Sequence, residues 1–99
     1  MDTDRPAITW TLGPRVDRAE IELLGERLQA LRHEQPDRGI VCDLSGLTAV
    51  DVVTVDALAR LALAGRRLGC RLRFERPPQR LVLLLRLTGL DHVLPIAAD

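Results

Sequence analysis

Apolar and polar positions along this chain change period several times, and each change marks an element. Residues 7–12, Ala-Ile-Thr-Trp-Thr-Leu, alternate with Ile8, Trp10 and Leu12 on one side, the period of a half-buried strand. Gly13-Pro14 ends that run. Asp17, with Glu20 three residues later, forms a capping signature. Ile21, Leu24, Leu28 and Leu31 then recur at helical spacing to about Arg32. Gly25 costs this helix about 1 kcal/mol relative to alanine. Gln35-Pro36-Asp37-Arg38-Gly39 reads as a loop.

The next run, Ile40-Val41-Cys42-Asp43-Leu44, is unbroken enough to predict a strand buried on both faces. Ser45-Gly46 turns the chain, and a second helix is expected from about Val53 to Leu68. Asp51 is its expected N-cap, with Thr54 the alternative, and Gly69 stands at its C-terminal cap. Cys70, Leu72 and Phe74 alternate with Arg71 and Arg73, which predicts another strand. Pro77-Pro78 opens a third helix with Leu81, Leu84, Leu85 and Thr88 inward. Thr88-Gly89-Leu90 closes it with the signature of a Schellman motif. His92 to Ile96 is expected as a short strand or extended tail.

Strand–helix alternation with short connections predicts an α/β domain. The expected architecture is a small mixed or parallel sheet of about four strands, with three or four helices packed on it. Residues 1–6 are expected to be a disordered N-terminus and 7–96 the single domain.

Composition narrows the function. Formal net charge is zero and Trp10 and Phe74 are the only aromatic residues, so neither a nucleic-acid electrostatic footprint nor a base-stacking platform is expected. All fourteen basic residues are arginine. Eight of them lie from Arg60 to Arg86, where Glu75 is the sole acid. That asymmetry reads either as solvated faces or as a basic surface for an acidic partner. Met1-Asp2-Thr3-Asp4 lacks a signal-peptide pattern, and the longest aliphatic run, Leu81 to Leu85, is too short to span a bilayer. With Cys42 and Cys70 both in apolar runs rather than a disulfide framework, a reduced, cytoplasmic, soluble protein is expected.

No catalytic constellation stands out, and no enzyme, metal or cofactor is expected. The junction Asp51-Val52-Val53-Thr54 lacks the glycines of a phosphate loop. His33 and His92 have no partner ligands at metal spacing. Ser45 lacks the nucleophile-elbow sequence, and Cys42 lies mid-strand, where burial raises a thiol pKa. Asp43 and Asp51 have ordinary roles available at a strand end and a helix cap.

On a helical wheel Leu58, Leu61, Ala62, Gly65 and Leu68 share the inner face of the second helix, with Ala57 and Ala64 beside it. Asp56, Arg60 and Arg67 lie opposite, with Ala59 and Leu63 among them and Val55 near the edge. Asp51, Val52, Val53, Thr54, Val55, Asp56, Ala59 and Leu63 are thereby expected to form one partner-binding strip, apolar and bordered by charge.

The run Ile40-Val41-Cys42-Asp43-Leu44-Ser45-Gly46-Leu47 resembles part of the STAS domain family. Asp51 with its helix, Arg67-Leu68-Gly69-Cys70-Arg71-Leu72 and Leu87-Thr88-Gly89-Leu90 extend the resemblance over about residues 7–95. The family includes anti-sigma-factor antagonists and cytoplasmic tails of sulfate transporters. Its usual pattern is Asp-Leu-Ser, a few residues, then Asp-Ser-Ser-Gly-Leu. Asp43-Leu44-Ser45 matches the first piece; counted back from Gly69, the second falls on Asp51-Val52-Val53-Thr54-Val55. The phosphorylated serine of the antagonists thus maps to Val53, which accepts no phosphoryl group, and the one nearby hydroxyl, on Thr54, is read as a cap in preference to a phosphosite.

The resemblance implies an interaction module in the manner of an anti-sigma-factor antagonist, not switched at Val53. Its implied partner is an anti-sigma factor with a serine-kinase fold. The alternative is an accessory subunit of a lipid or anion transporter, docked to its ATPase. Many relatives carry a further strand before the first one here, so one strand fewer is possible.

Overall fold

The computed structural model describes residues 6–94 and Ile96. Its order is β1 (Ile8–Thr11), α1 (Arg18–Glu34), β2 (Ile40–Asp43), α2 (Val52–Leu68), β3 (Leu72–Glu75) and α3 (Gln79–Thr88). The three strands form one parallel sheet in the order β1-β2-β3. Consecutive parallel neighbours need crossovers of one hand, so α1 and α2 lie side by side on the same face.

Register explains the layering. Ile8, Ile40 and Leu72 align across the sheet, as do Trp10, Cys42 and Phe74, and these point toward the helices. Thr9, Val41 and Arg73, and then Thr11, Asp43 and Glu75, occupy the opposite face, which is polar except at Val41. Ile40, Val41 and Cys42 are all buried, as their unbroken apolar run predicts for a middle strand. From α1 come Ile21, Leu24 and Leu28, and from α2 come Val55, Leu58, Leu61 and Ala62, to close the core around Phe74.

Local chemistry sets the helix limits. The Asp17 carboxylate accepts the Glu20 N–H at 3.0 Å, supporting the orphan donors of α1. α2 and α3 end in paired Schellman bonds. Cys70 N–H donates to Gly65 O and Gly69 N–H to Arg66 O; Leu90 and Gly89 do the same to Leu85 and Arg86. Gly69 and Gly89 sit at φ 72° and 74°, a left-handed conformation costly for residues with a Cβ.

Among the described residues the sheet has three strands, where about four were expected. Of the tail expected at 92–96, the described residues give a single bridge, Ile96 to Phe74. The chain turns after α3, with Val93 N–H donating to Leu90 O. β3 begins at Leu72, not Cys70, because the Schellman bond engages Cys70 N–H. Of the expected disordered N-terminus, 1–5 lie outside the described residues. Pro6 is anchored, its carbonyl accepting Arg38 Nε and Nη2 at 3.1 and 2.9 Å.

Among the described residues no helix is long and apolar enough to cross a membrane.

Candidate functional site

The entrance of α2 is held from below by the β1–α1 loop. Thr48 and Ala49 both donate their N–H groups to Pro14 O, at 3.0 and 3.2 Å. The chain can come this close because Gly13 lies against Gly46; a Cβ there would stand 2.5 Å from the Gly46 carbonyl oxygen. The Ala49 carbonyl accepts the Thr54 hydroxyl at 3.2 Å. The loop that delivers the chain to α2 is therefore tied both to β1's exit and to the helix's first turn.

Asp51 and Thr54 then form a reciprocal capping box. Thr54 N–H donates to Asp51 Oδ1 at 3.1 Å, and Asp51 N–H donates to Thr54 Oγ1 at 3.2 Å. The Thr54 N–H, ahead of Arg15 nearby, holds the Asp51 carboxyl below its ordinary pKa. Thr54 is 1% exposed, so its hydroxyl is a structural group inside the first turn.

The remaining residues at the entrance divide sharply. Val52 and Val53 are 65% and 54% exposed, and Asp56 and Leu63 also face outward, while Ala59 is half-buried. Asp56 Oδ2 accepts Arg60 Nε at 2.8 Å across one helical turn. Val55 corrects the wheel: at 2% exposure it belongs to the core, not to the outer strip. The wheel places it at the edge, but the neighbouring core extends far enough round to cover it. The exposed strip is thus Val52, Val53, Ala59 and Leu63, bordered by Asp51, Asp56 and Arg60, with Thr54 and Val55 beneath.

That strip does not end at α2. An open groove of about 410 Å³ runs beside its first turn, lined by Val50, Asp51 and Val52 on one side and Arg80, Leu83, Leu84 and Leu87 of α3 on the other. Leu83 and Leu87 are exposed, Leu87 by 82%. Only Leu81 and Leu85 of α3 are buried; Leu84 is half-buried at the groove, and Thr88 is exposed with its hydroxyl returned to Leu84 O and Leu85 O. Sequence reasoning misses the α3 contribution to the site. Its signal is the run from Leu81 to Leu85 followed by Leu87, which holds more leucine than one inner face requires.

Other candidate groups are fully engaged. Asp43 Oδ1 and Oδ2 accept Arg76 Nε and Nη2 at 3.3 and 3.0 Å, and Oδ1 also accepts Ser45 N–H at 3.0 Å. The Arg76 guanidinium, followed by Ser45, holds the Asp43 carboxyl well below the usual carboxylate range. Arg76 sits at φ 54°, and this forked contact fixes it there. Cys42 is fully buried, and burial pushes its thiol up to about 12, far from a reactive thiolate.

A family model described as Mlab, STAS domain matches residues 2–95. The chain belongs to the STAS domain family. A search among curated proteins found no match. In this STAS domain the strand-end Asp43-Leu44-Ser45 leads through the pinned loop to the α2 entrance, and Val52 and Val53 are the residues which that entrance presents. STAS domains in general mediate contacts between proteins, and this one carries its exposed aliphatic side chains at that position.

Proposed function

We propose that this STAS domain is a non-enzymatic docking module whose entrance to α2 stays permanently competent. The observation that carries the reading is the pairing of exposed, hydroxyl-free Val52 and Val53 with a Thr54 hydroxyl enclosed in the capping box. A phosphate would add about −1.5 to −2 charges and a hydration shell to an apolar contact. The exposed positions offer no atom to carry one. The partner proposed is an anti-sigma factor with a serine-kinase fold, met in the cytoplasm. It would be gripped through Val52, Val53, Ala59 and Leu63, with Asp51, Asp56 and Arg60 at the rim.

The test uses the candidate kinase partner, purified, with radiolabelled ATP. The native chain is expected to take up no phosphate, and Val53→Ser to take it up at the new serine. Labelling of the native chain at Thr54 overturns the unswitched reading. Leu63→Glu is expected to keep the native circular dichroism spectrum and to lose the partner in a pull-down; retained binding removes the outer face of α2 from the interface.

The second reading is an accessory subunit fixed to a transporter ATPase. The groove favours it, because Leu83, Leu84 and Leu87 make the exposed surface more apolar than a reversible contact needs. Purification from the native host, with the bound partner identified by mass spectrometry, separates the two.

A further inference from the structure

We propose that the outer edge of β1 pairs antiparallel with β1 of a second copy of this chain, joining two sheets into one. Hydrogen bonds define that edge. Ile8 N–H donates to Gly39 O and Leu12 N–H to Asp43 O. Alternation along the strand therefore turns the N–H and C=O groups of Thr9 and Thr11 away from β2. Among the described residues no strand lies on that side. The two edges of the sheet differ. β3 carries Arg73 and Glu75, and its Phe74 already bridges to Ile96. β1, Ile-Thr-Trp-Thr, has no charge, no proline and no bulge, the devices that keep a strand edge from pairing.

Self-matching chooses the occupant. A two-fold axis at Trp10 sets Thr9 opposite Thr11 of the second copy, and these β-branched, exposed residues exchange both backbone hydrogen bonds. On the helix side half-buried Trp10 meets Trp10, and Ile8 meets Leu12. No like charges come opposite each other along the seam. β1 offers a strand of unlike sequence no charge to recognise, whereas its own copy matches it residue for residue. The helices fit the same arrangement. α1 leaves β1 and returns to β2, so it lies over those two strands. Across the axis its copy stands two strand spacings away, about 10 Å, the separation of packed helices. Arg32 marks the α2 side of α1, because its Nε donates to Leu68 O. Leu23, nine residues earlier at about 100° per residue, faces the opposite way with 62% of its surface exposed, and Ala30 is exposed seven residues after it. The contact uses β1 and α1 and leaves the α2 entrance uncovered, so it goes beyond the docking reading and stands without it.

The test is sedimentation equilibrium of the full chain, with circular dichroism alongside. A dimer is expected at about 0.5 mM, dissociating on dilution. Thr9→Pro removes an outward N–H and keeps the ladder to β2, so the native spectrum should persist while dimerisation weakens by roughly tenfold or more. Mild oxidation of Thr9→Cys mixed with Thr11→Cys, both combined with Cys70→Ser, should give a crosslinked heterodimer, since Cα atoms paired in this way stand about 5.5 Å apart. Either variant alone should crosslink less. This second arm keeps the test decisive if Thr9→Pro fails to fold. A monomer at every concentration, a dimer indifferent to Thr9→Pro, or crosslinking of Thr9→Cys or Thr11→Cys mainly with itself overturns the proposal. So does a dimer that Leu87→Glu dissociates and Thr9→Pro does not, which gives the contact to α3.

Discussion

Replacing Thr54 by valine tests how the α2 entrance is built. The two side chains have nearly the same shape, so the substitution removes a hydroxyl and little else. Three hydrogen bonds go with it: Asp51 N–H loses its acceptor at 3.2 Å, Ala49 O loses its donor at 3.2 Å, and Asp51 Oδ1 loses the hydroxyl at 3.3 Å while keeping the Thr54 N–H. Leaving a buried polar group unsatisfied costs about 1–3 kcal/mol, and the added methyl recovers some of that for the pair. A net loss of about 2 kcal/mol is expected, which for a domain of this size lowers Tm by roughly 8–16 °C. The assay is thermal and urea unfolding followed by circular dichroism, with Asp51→Ala and the double variant completing a cycle. Asp51→Ala alone removes the cap and should cost about 1 kcal/mol. The double variant should cost less than the sum, because each change strands a group that the other uses. Val53→Thr is the control: a hydroxyl added at an exposed position should change stability by less than about 0.5 kcal/mol. A Thr54→Val protein melting within about 2 °C of the native one, or a strictly additive cycle, would refute the capping-box account.

Other consequences follow from single positions. A Cβ at Gly25 would meet nothing within 4 Å, so Gly25→Ala should stabilise by about 1 kcal/mol in urea unfolding; an unchanged midpoint would mean α1 is not continuous there. In native protein at pH 8, Cys70 should react with a thiol reagent well before Cys42, whose thiol burial holds up to about 12; equal rates would contradict the buried middle strand. Asp43 has its folded pKa lowered from an unfolded value of about 3.9, so its contribution is present above that value and lost as pH falls toward the folded one. Acid unfolding of Asp43→Asn should accordingly show a shallower loss of stability below about pH 4 than the native chain, and an identical slope would remove the Arg76 contact from the balance.

Much of the fold was legible in one dimension because period and punctuation are local. The three helices, their N-caps at Asp17 and Asp51, and the Schellman ends at Gly69 and Gly89 follow from residues within one turn of each other. So does the middle position of β2, whose apolar run leaves no polar side to face water. The absence of a hydroxyl at residues 52 and 53 is likewise a fact of sequence alone.

Tertiary structure decided which of these residues meet. A helical wheel assigns angles but not the extent of the neighbouring core, so it sets Val55 at an edge that the core in fact covers. Val93, Leu94 and Ile96 are apolar enough for a strand, yet whether they pair depends on where the turn after α3 delivers them, and among the described residues Ile96 makes one bridge. The groove joins Val52 to Leu87, residues on two different helices far apart in sequence. No local pattern specifies that approach, because it arises from how α2 and α3 pack on a common core.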